Sequence, residues 1–211
     1  MRDRENQKRY GPDVSRRAFL KGSGVAVATT AMVGTAVEGV AEETKAVSKV
    51  APAKVQEVKL NVNGEIHTVK IEPRVTLLDA LRNDLQLTGC KEVCTTKNCG
   101  ACTVIIDGKP VYACTKLAIA EKGKITTVEG LAGGKNVDQV ISAFVKHDAT
   151  QCGYCTPGFV VAVRAFLNAN PKADLEQIQK GLGGNICRCG TYEGVAQAAL
   201  ELVKKGGANN G

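Results

Sequence analysis

The 211-residue chain carries nine cysteines, and they are grouped. Cys90, Cys94, Cys99 and Cys102 share the stretch CKEVCTTKNCGAC. Cys114 follows, and two close pairs come later, Cys152 with Cys155 and Cys187 with Cys189. Thiols in this number can pair as disulfides, hold zinc, or hold iron and sulfide. An odd count would leave one thiol over in a complete disulfide framework. Grouping favours metal, because one loop must wrap one ion or cluster.

The spacing separates these chemistries further. Cys94-x4-Cys99-x2-Cys102, followed after eleven residues by Cys114, is the spacing of plant-type [2Fe–2S] ferredoxins. Two sulfide-bridged irons need four thiolates, two per iron. The loop must curl so that backbone N–H groups reach the sulfurs, and the small residues Gly100 and Ala101 suit a close approach. Zinc sites more often use two compact C-x2-C knuckles. Zinc and structural disulfides stay open as the alternative readings. Cys90 lies outside the x4–x2 frame and reads as a bystander.

The second group is Cys152-x2-Cys155, then 31 residues, then Cys187-x-Cys189. C-x2-C alone has zinc and redox readings. The C-x-C partner needs a sharp turn, which the glycines of GGNICRCG allow. Both pairs sit just before expected helix starts, where free N–H groups and the helix dipole favour an anionic centre.

The elements that position these groups fall into two halves. In QEVKLNVNGEIHTVKI, Val58, Leu60 and Val62, then Ile66, Val69 and Ile71, flank Asn63-Gly64, a hairpin signal. Thr76 can cap a helix, with Asp79 as a weak capping box and Leu77, Leu78, Leu81 and Leu85 as its apolar face. CTVIIDGKPVYAC reads as a second hairpin turning at Asp107-Gly108, and GKITTVEGL as a last strand. AGGKN at 132–136 is the expected boundary between the halves. Beyond it the period turns helical. Val137, Val140, Ile141, Phe144 and Val145 are expected on one side of the first helix. A second opens at Thr156-Pro157, a third is capped by Asp174, and a fourth runs from Glu193 to about Lys205. The class is α+β, a small sheet domain followed by a short helical bundle.

The net charge of +7 does not point to nucleic acid. Seven basic against three acidic residues between 1 and 22 carry +4 of it, leaving +3 for the other 189. No basic stripe interleaved with aromatics remains. The leader reads instead as a twin-arginine signal, since SRRAFLKG places paired arginines before a short, weakly apolar stretch. Residues 1–41 are assigned to it, with cleavage near Ala41, and residues 42–55 to a linker. The location expected is the periplasm, reached through the twin-arginine translocase.

CGAC, QCGYCTPG and NICRCG together resemble the iron–sulfur subunits of the molybdenum hydroxylases, the xanthine and aldehyde oxidase family. The resemblance covers roughly residues 56–205. With its leader the chain is similar to periplasmic aldehyde oxidoreductase iron–sulfur subunits. The family implies a β-grasp [2Fe–2S] ferredoxin domain, here 56–131, and a four-helix-bundle [2Fe–2S] domain, here 136–205. It implies that Cys94, Cys99, Cys102 and Cys114 hold one cluster and that Cys152, Cys155, Cys187 and Cys189 hold the other. It further implies that Gln151 and Cys189 contact the pterin of a molybdenum cofactor held by a partner large subunit. That partner would oxidise an aldehyde or N-heterocycle using water. Electrons would leave this chain for a FAD-binding subunit, a cytochrome c or another acceptor. The rival function is a stand-alone ferredoxin-like carrier.

Two residues depart from the family pattern. Val93 precedes Cys94 where glycine is usual, and Lys97 stands where a small residue is usual, its side chain expected in solvent. The remaining candidates read blandly. His67 and His147 are not expected to build a Rieske-type site. GLAGG and GLGG lack the Lys-Ser/Thr of a phosphate loop. Tyr154 and Arg188 are expected to pack around the second centre, and Lys91 and Glu92 to face solvent. No acid, base or nucleophile set is present, so no catalytic residue is expected in this chain.

Overall fold

Asn63-Gly64 and Asp107-Gly108 both turn hairpins in the computed structural model, which describes residues 53–133 and 137–206. Asn63 and Gly64 have φ of +53° and +89°, and Asp107 and Gly108 +48° and +80°. Paired left-handed residues of this kind match the twist of two strands joined by a two-residue loop. The first hairpin joins β1 (Gln56–Val62) to β2 (Glu65–Ile71), and the second joins β3 (Thr103–Ile106) to β4 (Lys109–Tyr112). With β5 (Lys124–Thr126) they form one sheet in the order β2-β1-β5-β3-β4, parallel only between β1 and β5. The leader, the expected cleavage site, most of the linker and residues 134–136 lie outside the described residues.

Alternation decides which side chains are buried, and it corrects one expectation. Val58, Leu60 and Val62 point inward, as do Val69 and Ile71, but Ile66 is 71 % exposed. A strand alternates strictly, so Ile66 faces away from Val69 and Ile71. The last strand is also shorter than expected. Asn63 accepts the backbone N–H of Thr127 (2.9 Å) and donates to the Thr127 hydroxyl (3.1 Å). Thr127 then opens α2 (Val128–Ala132), so GKITTVEGL is half strand and half helix.

Thr76 caps α1 (Leu77–Asp79) by accepting the Asp79 N–H at 3.1 Å. The reciprocal bond of a capping box is replaced by one from the Thr76 hydroxyl to the Asp79 carboxylate, at 2.6 Å. The helix continues as a π-helical turn, Ala80–Asp84. Leu77, Leu78 and Leu81 are fully buried against Val58, Leu60, Val104 and Ile125.

The second half holds α3 (Gln139–Lys146), α4 (Thr156–Ala169), α5 (Leu175–Gly181) and α6 (Tyr192–Lys204). Asp138 caps α3, so Val137 precedes the helix and is exposed, and Val145 points outward. The inward face is Val140, Ala143 and Phe144, with Ile141 half-buried. Asp174 and Gln177 form a full capping box at α5 (2.8 and 3.0 Å).

Helix α4 ties the halves together. It is buried nearly all round, as expected of a helix with neighbours on every side. One side packs in the helical core, and the other sets Val161 and Ala165 against Ile105 of β3. Strand β3 is therefore covered on both faces and has four buried residues in a row. Asp138 and Arg164, each about 5–6 % exposed, make a buried ion pair between α4 and the start of α3. At the other edge, Glu201 of α6 accepts from Lys146 (2.8 Å), His147 (2.5 Å) and Lys205 (2.7 Å).

Candidate metal centres

The loop before β3 curls because three of its residues are left-handed: Thr95, Lys97 and Gly100, at φ +53°, +63° and +70°. The curl turns the Asn98 N–H onto the Cys94 sulfur at 3.4 Å. The Cys94 thiol is lowered to about 6, first by the Thr96 N–H, then by the Asn98 N–H and the Cys99 thiol. Donors aimed at a sulfur favour its thiolate, the form that binds metal. Burial raises Cys99, whose thiol hydrogen-bonds to Cys94.

The β3–β4 register supplies the other two thiols. Thr103 stands opposite Tyr112, and Ala113 donates to the Cys102 carbonyl at 3.1 Å, so Cys102 and Cys114 meet at the open end of the hairpin. Burial raises the Cys102 thiol to about 12. The Cys114 N–H opposes this, while the Cys114 thiol adds to it. The four thiols thus come as two pairs, Cys94 with Cys99 and Cys102 with Cys114.

Cys90 belongs to neither pair. It is 3 % exposed, its thiol donates to the Cys102 carbonyl at 3.4 Å, and its own carbonyl accepts from Arg82 at 2.8 Å. Burial pushes its thiol strongly up, so it is held neutral behind the loop.

The second group is paired in the same way. Cys155 ends the segment before α4, and its thiol, raised to about 12 by burial and then by the Cys187 thiol, donates to Cys187. Burial acts upward on Cys187, but the Thr191 hydroxyl and N–H, with the Cys155 thiol and the Cys189 N–H, together outweigh it and bring the thiol to about 7. Those two donors lie 3.2 and 3.5 Å from the Cys187 sulfur. Thr191 stands at the N-terminus of α6, so unsatisfied helix donors are turned onto a sulfur. Cys189 is paired with Cys152. The Cys152 backbone lowers its thiol, the Cys152 thiol acts the other way, and the net shift is upward. Gly153 and Gly190, at φ +81° and +83°, make the turns that the two short spacings need. Cys152 and Cys189 are exposed, as is Gln151, whereas Cys187 is buried.

This donor set fits a two-iron cluster in each half. All nine cysteines are free thiols. Among the described residues, no three or more His, Cys, Asp or Glu side chains are gathered as a site for one metal ion. Two thiol pairs per half, with N–H donors on the sulfurs, match two irons that take two thiolates each.

The two centres adjoin. The Ile186 N–H donates to the Cys99 carbonyl at 2.9 Å, which links neighbours of both groups by one hydrogen bond. Asn185, buried, donates to the Gly100 carbonyl at 2.9 Å, and the Tyr112 hydroxyl donates to the Gly184 carbonyl at 2.8 Å. Tyr154 and Arg188, both exposed, line a depression of about 170 Å³ with Cys99, Cys152 and Cys155. Lys91 is half-buried, 5.8 Å over the Tyr154 ring, and the Tyr154 hydroxyl lies 3.5 Å from the Glu92 carbonyl. Lys91 therefore packs and is not a purely solvated group. Thr191, Asn185 and Tyr112 are residues that spacing did not single out. A Thr two residues after C-x-C and just before a helix is the one available signal.

Two substitutions test this packing. A Cβ on Gly158 of α4 would stand 2.6 Å from the Gly100 carbonyl oxygen and 3.0 Å from the Ala101 Cα, both backbone atoms. Gly→Ala inside a helix ordinarily stabilises by about 1 kcal/mol. Gly158→Ala should instead destabilise by about 1–3 kcal/mol in denaturant titration, because the helix must back away from the first loop. Lys97 is left-handed at an exposed position, a conformation that costs a non-glycine residue about 1–2 kcal/mol. Lys97→Gly should stabilise by up to about 1 kcal/mol after the entropy of the added glycine, and Lys97→Ala should not.

Comparison with known proteins places this geometry. A model of the 2Fe-2S iron-sulfur cluster binding domain matches residues 60–130, and one of the [2Fe-2S] binding domain matches residues 127–200. A twin-arginine translocation signal model matches residues 13–33. The nicotine 6-hydroxylase small subunit of Paenarthrobacter nicotinovorans is 41 % identical over 162 residues, covering 76 % of this chain and 98 % of that one. The aldehyde oxidoreductase iron-sulfur-binding subunit PaoA of Escherichia coli O157:H7 is 40 % identical over 158 residues, covering 67 % and 69 %. In the crystal structure of quinoline 2-oxidoreductase from Pseudomonas putida 86, one chain superposes with a TM-score of 0.66 at 35 % identity, over 74 % of this chain and 99 % of that one.

Proposed function

The chain belongs to the iron–sulfur small subunits of the xanthine dehydrogenase and aldehyde oxidoreductase family, and from that premise we propose how its residues serve the complex. It is the electron-transfer subunit of an oxidoreductase complex, and its twin-arginine signal directs export to the periplasm. In our reading Cys94, Cys99, Cys102 and Cys114 hold one [2Fe–2S] cluster, and Cys152, Cys155, Cys187 and Cys189 hold the other. The thiol pairing supports this assignment. A bound [2Fe–2S] cluster supplies reversible one-electron chemistry at each site.

The chain's own residues do the rest. Thr96, Asn98 and Thr191 hold sulfurs as thiolates through N–H and O–H donors. Gly158, Asn185 and Tyr112 keep the two loops in register. The bond from Ile186 to the Cys99 carbonyl supplies a short covalent and hydrogen-bonded route between the two ligand sets, and that single contact carries the reading that the centres act in series.

The finer organisation follows from the same premise. Residues 1–41 are the signal, 42–55 a linker, 56–131 a β-grasp domain and 136–205 a four-helix-bundle domain formed by α3 to α6. Gln151 and Cys189, both exposed beside Cys152, are the residues we assign to contact with the pterin of a molybdenum cofactor held by a large subunit. Their exposure supports a partner on that face. We assign the acceptor to a FAD-binding subunit, a cytochrome c or another redox protein. Affinity purification of the native chain from periplasm tests the assembly. A molybdenum-containing large subunit should co-elute in fixed ratio with about four irons per chain, the sum for two two-iron clusters. Elution of the chain alone, with full iron content, would replace this reading with a stand-alone carrier.

A further inference from the structure

Both centres are flanked by exposed apolar side chains, Val93 and Leu117 at the first (53 and 48 %), and the first also adjoins a depression with two lysines in its lining. Around the second, Tyr154, Ile186 and Tyr192 are 53, 51 and 48 % exposed, a largely apolar rim that also holds the exposed Arg188, beside Gln151, Cys152 and Cys189. Beside the first lies a depression of about 430 Å³ lined by Lys97, Pro110, Val111, Tyr112, Thr115 and Lys116. Its lining runs from Lys97 of the Cys94–Cys99 loop to Thr115, next to Cys114 in sequence. It has two cations and no acid in its lining. Among the described residues, neither Lys97 nor Lys116 takes part in an ion pair.

Lys97 adds a second observation. It occupies a left-handed position, φ +63°, where glycine would be free of strain. The curl of the loop accounts for the left-handed backbone, as it does at Thr95, and the charge of Lys97 is what a glycine there would lack. Here the side chain adds a positive charge to the lining of the depression. Large apolar rims suit long-lived partners, whereas small charged faces suit brief redox encounters that depend on steering.

We propose that the depression between Lys97 and Lys116 is the docking face for an acidic one-electron acceptor protein, leaving the apolar rim of the second centre to the permanent partner. The proposal rests on the electron-transfer reading above. The complementary surface would carry carboxylates around its redox centre. One electron leaves the reduced chain and enters the acceptor. The chain is oxidised by one electron and the acceptor reduced by one, with no bond made or broken and no proton moved.

The test uses the cluster-loaded full chain, reduced with dithionite and freed of excess reductant. It is mixed in stopped flow with the acidic soluble domain of cytochrome b5 or with basic cytochrome c, and haem reduction is followed. Electron paramagnetic resonance on each protein first verifies two cluster signals. If the wild type lacks them, the electron-transfer reading itself fails before any acceptor is added. With signals intact, Lys97→Glu/Lys116→Glu should slow cytochrome b5 reduction on the order of tenfold, and the wild-type rate should fall with salt. Cytochrome c should be reduced faster by the same variant. Lys97→Gly/Lys116→Ser, which removes both charges without adding strain, should move each rate the same way by less. Lys59→Glu, one such charge reversal on exposed β1, should leave both rates within twofold. A double variant within twofold of wild type towards cytochrome b5 would overturn the proposal, as would an equal loss in Lys59→Glu. Inhibition by inorganic phosphate at constant ionic strength would also overturn it, by revealing a small-anion pocket in place of a protein face.

Discussion

Cys94→Ser should abolish one of two [2Fe–2S] signals, and Cys90→Ser should abolish neither. The two cysteines stand four residues apart in one loop, and their surroundings differ in every respect that matters for metal binding. Cys94 is half-exposed, accepts the Asn98 N–H, and is lowered to about 6 chiefly by backbone donors. A serine there offers a hydroxyl that does not ionise near neutral pH, and the iron it would share with Cys99 loses a thiolate. Cys90 is buried, is pushed strongly upward by burial, and spends its thiol proton on the Cys102 carbonyl. Serine keeps that donor and nearly the same volume. The check is iron content together with reduced-state electron paramagnetic resonance on both variants. Cys94→Ser should lose about half the iron, two of about four. A Cys90→Ser protein that loses a signal while Cys94→Ser keeps both would mean that the loop's ligand register is set differently.

The largest effect on stability is expected at the buried pair of Arg164 and Asp138. Both side chains are nearly inaccessible, and Asp138 also caps α3 through the Val140 N–H at 2.8 Å. Removing the guanidinium in Arg164→Met leaves a carboxylate buried without its counter-charge, which costs about 3–5 kcal/mol. Adding Asp138→Asn to that variant removes the stranded charge but keeps a side-chain oxygen to cap the helix. The double variant should therefore recover much of the loss in denaturant titration. A double variant as unstable as Arg164→Met alone would show that the arginine acts through packing and not through charge.

The hairpins and the grouping of the cysteines were legible in the sequence because each depends on residues a few positions apart. Asn-Gly and Asp-Gly carry their turn geometry locally, and C-x4-C-x2-C limits how one loop can fold. What depended on distant partners was not legible. Ile66 is the exception, since its parity opposite to Val69 and Ile71 within one strand already turns it to solvent. The short β5 follows from Asn63, 64 residues away, taking the Thr127 N–H. Valines at 137 and 145 fit an apolar period but lie off the inward face of a helix that Asp138 starts. The contact of Gly158 with Gly100 and the bond from Ile186 to Cys99 join segments far apart in the chain. The pairing of thiols within each group likewise appears only once the loops are folded.

The most direct measurement of the central claim is the visible and electron paramagnetic resonance spectrum of the native chain, taken before and after reduction. In the proposed reading, eight thiols in four pairs, four in each half, would hold two [2Fe–2S] clusters in different surroundings. The account predicts a red-brown protein whose reduced form gives two distinguishable signals. A colourless, iron-free native protein, or a single cluster signal from fully loaded chain, would contradict it.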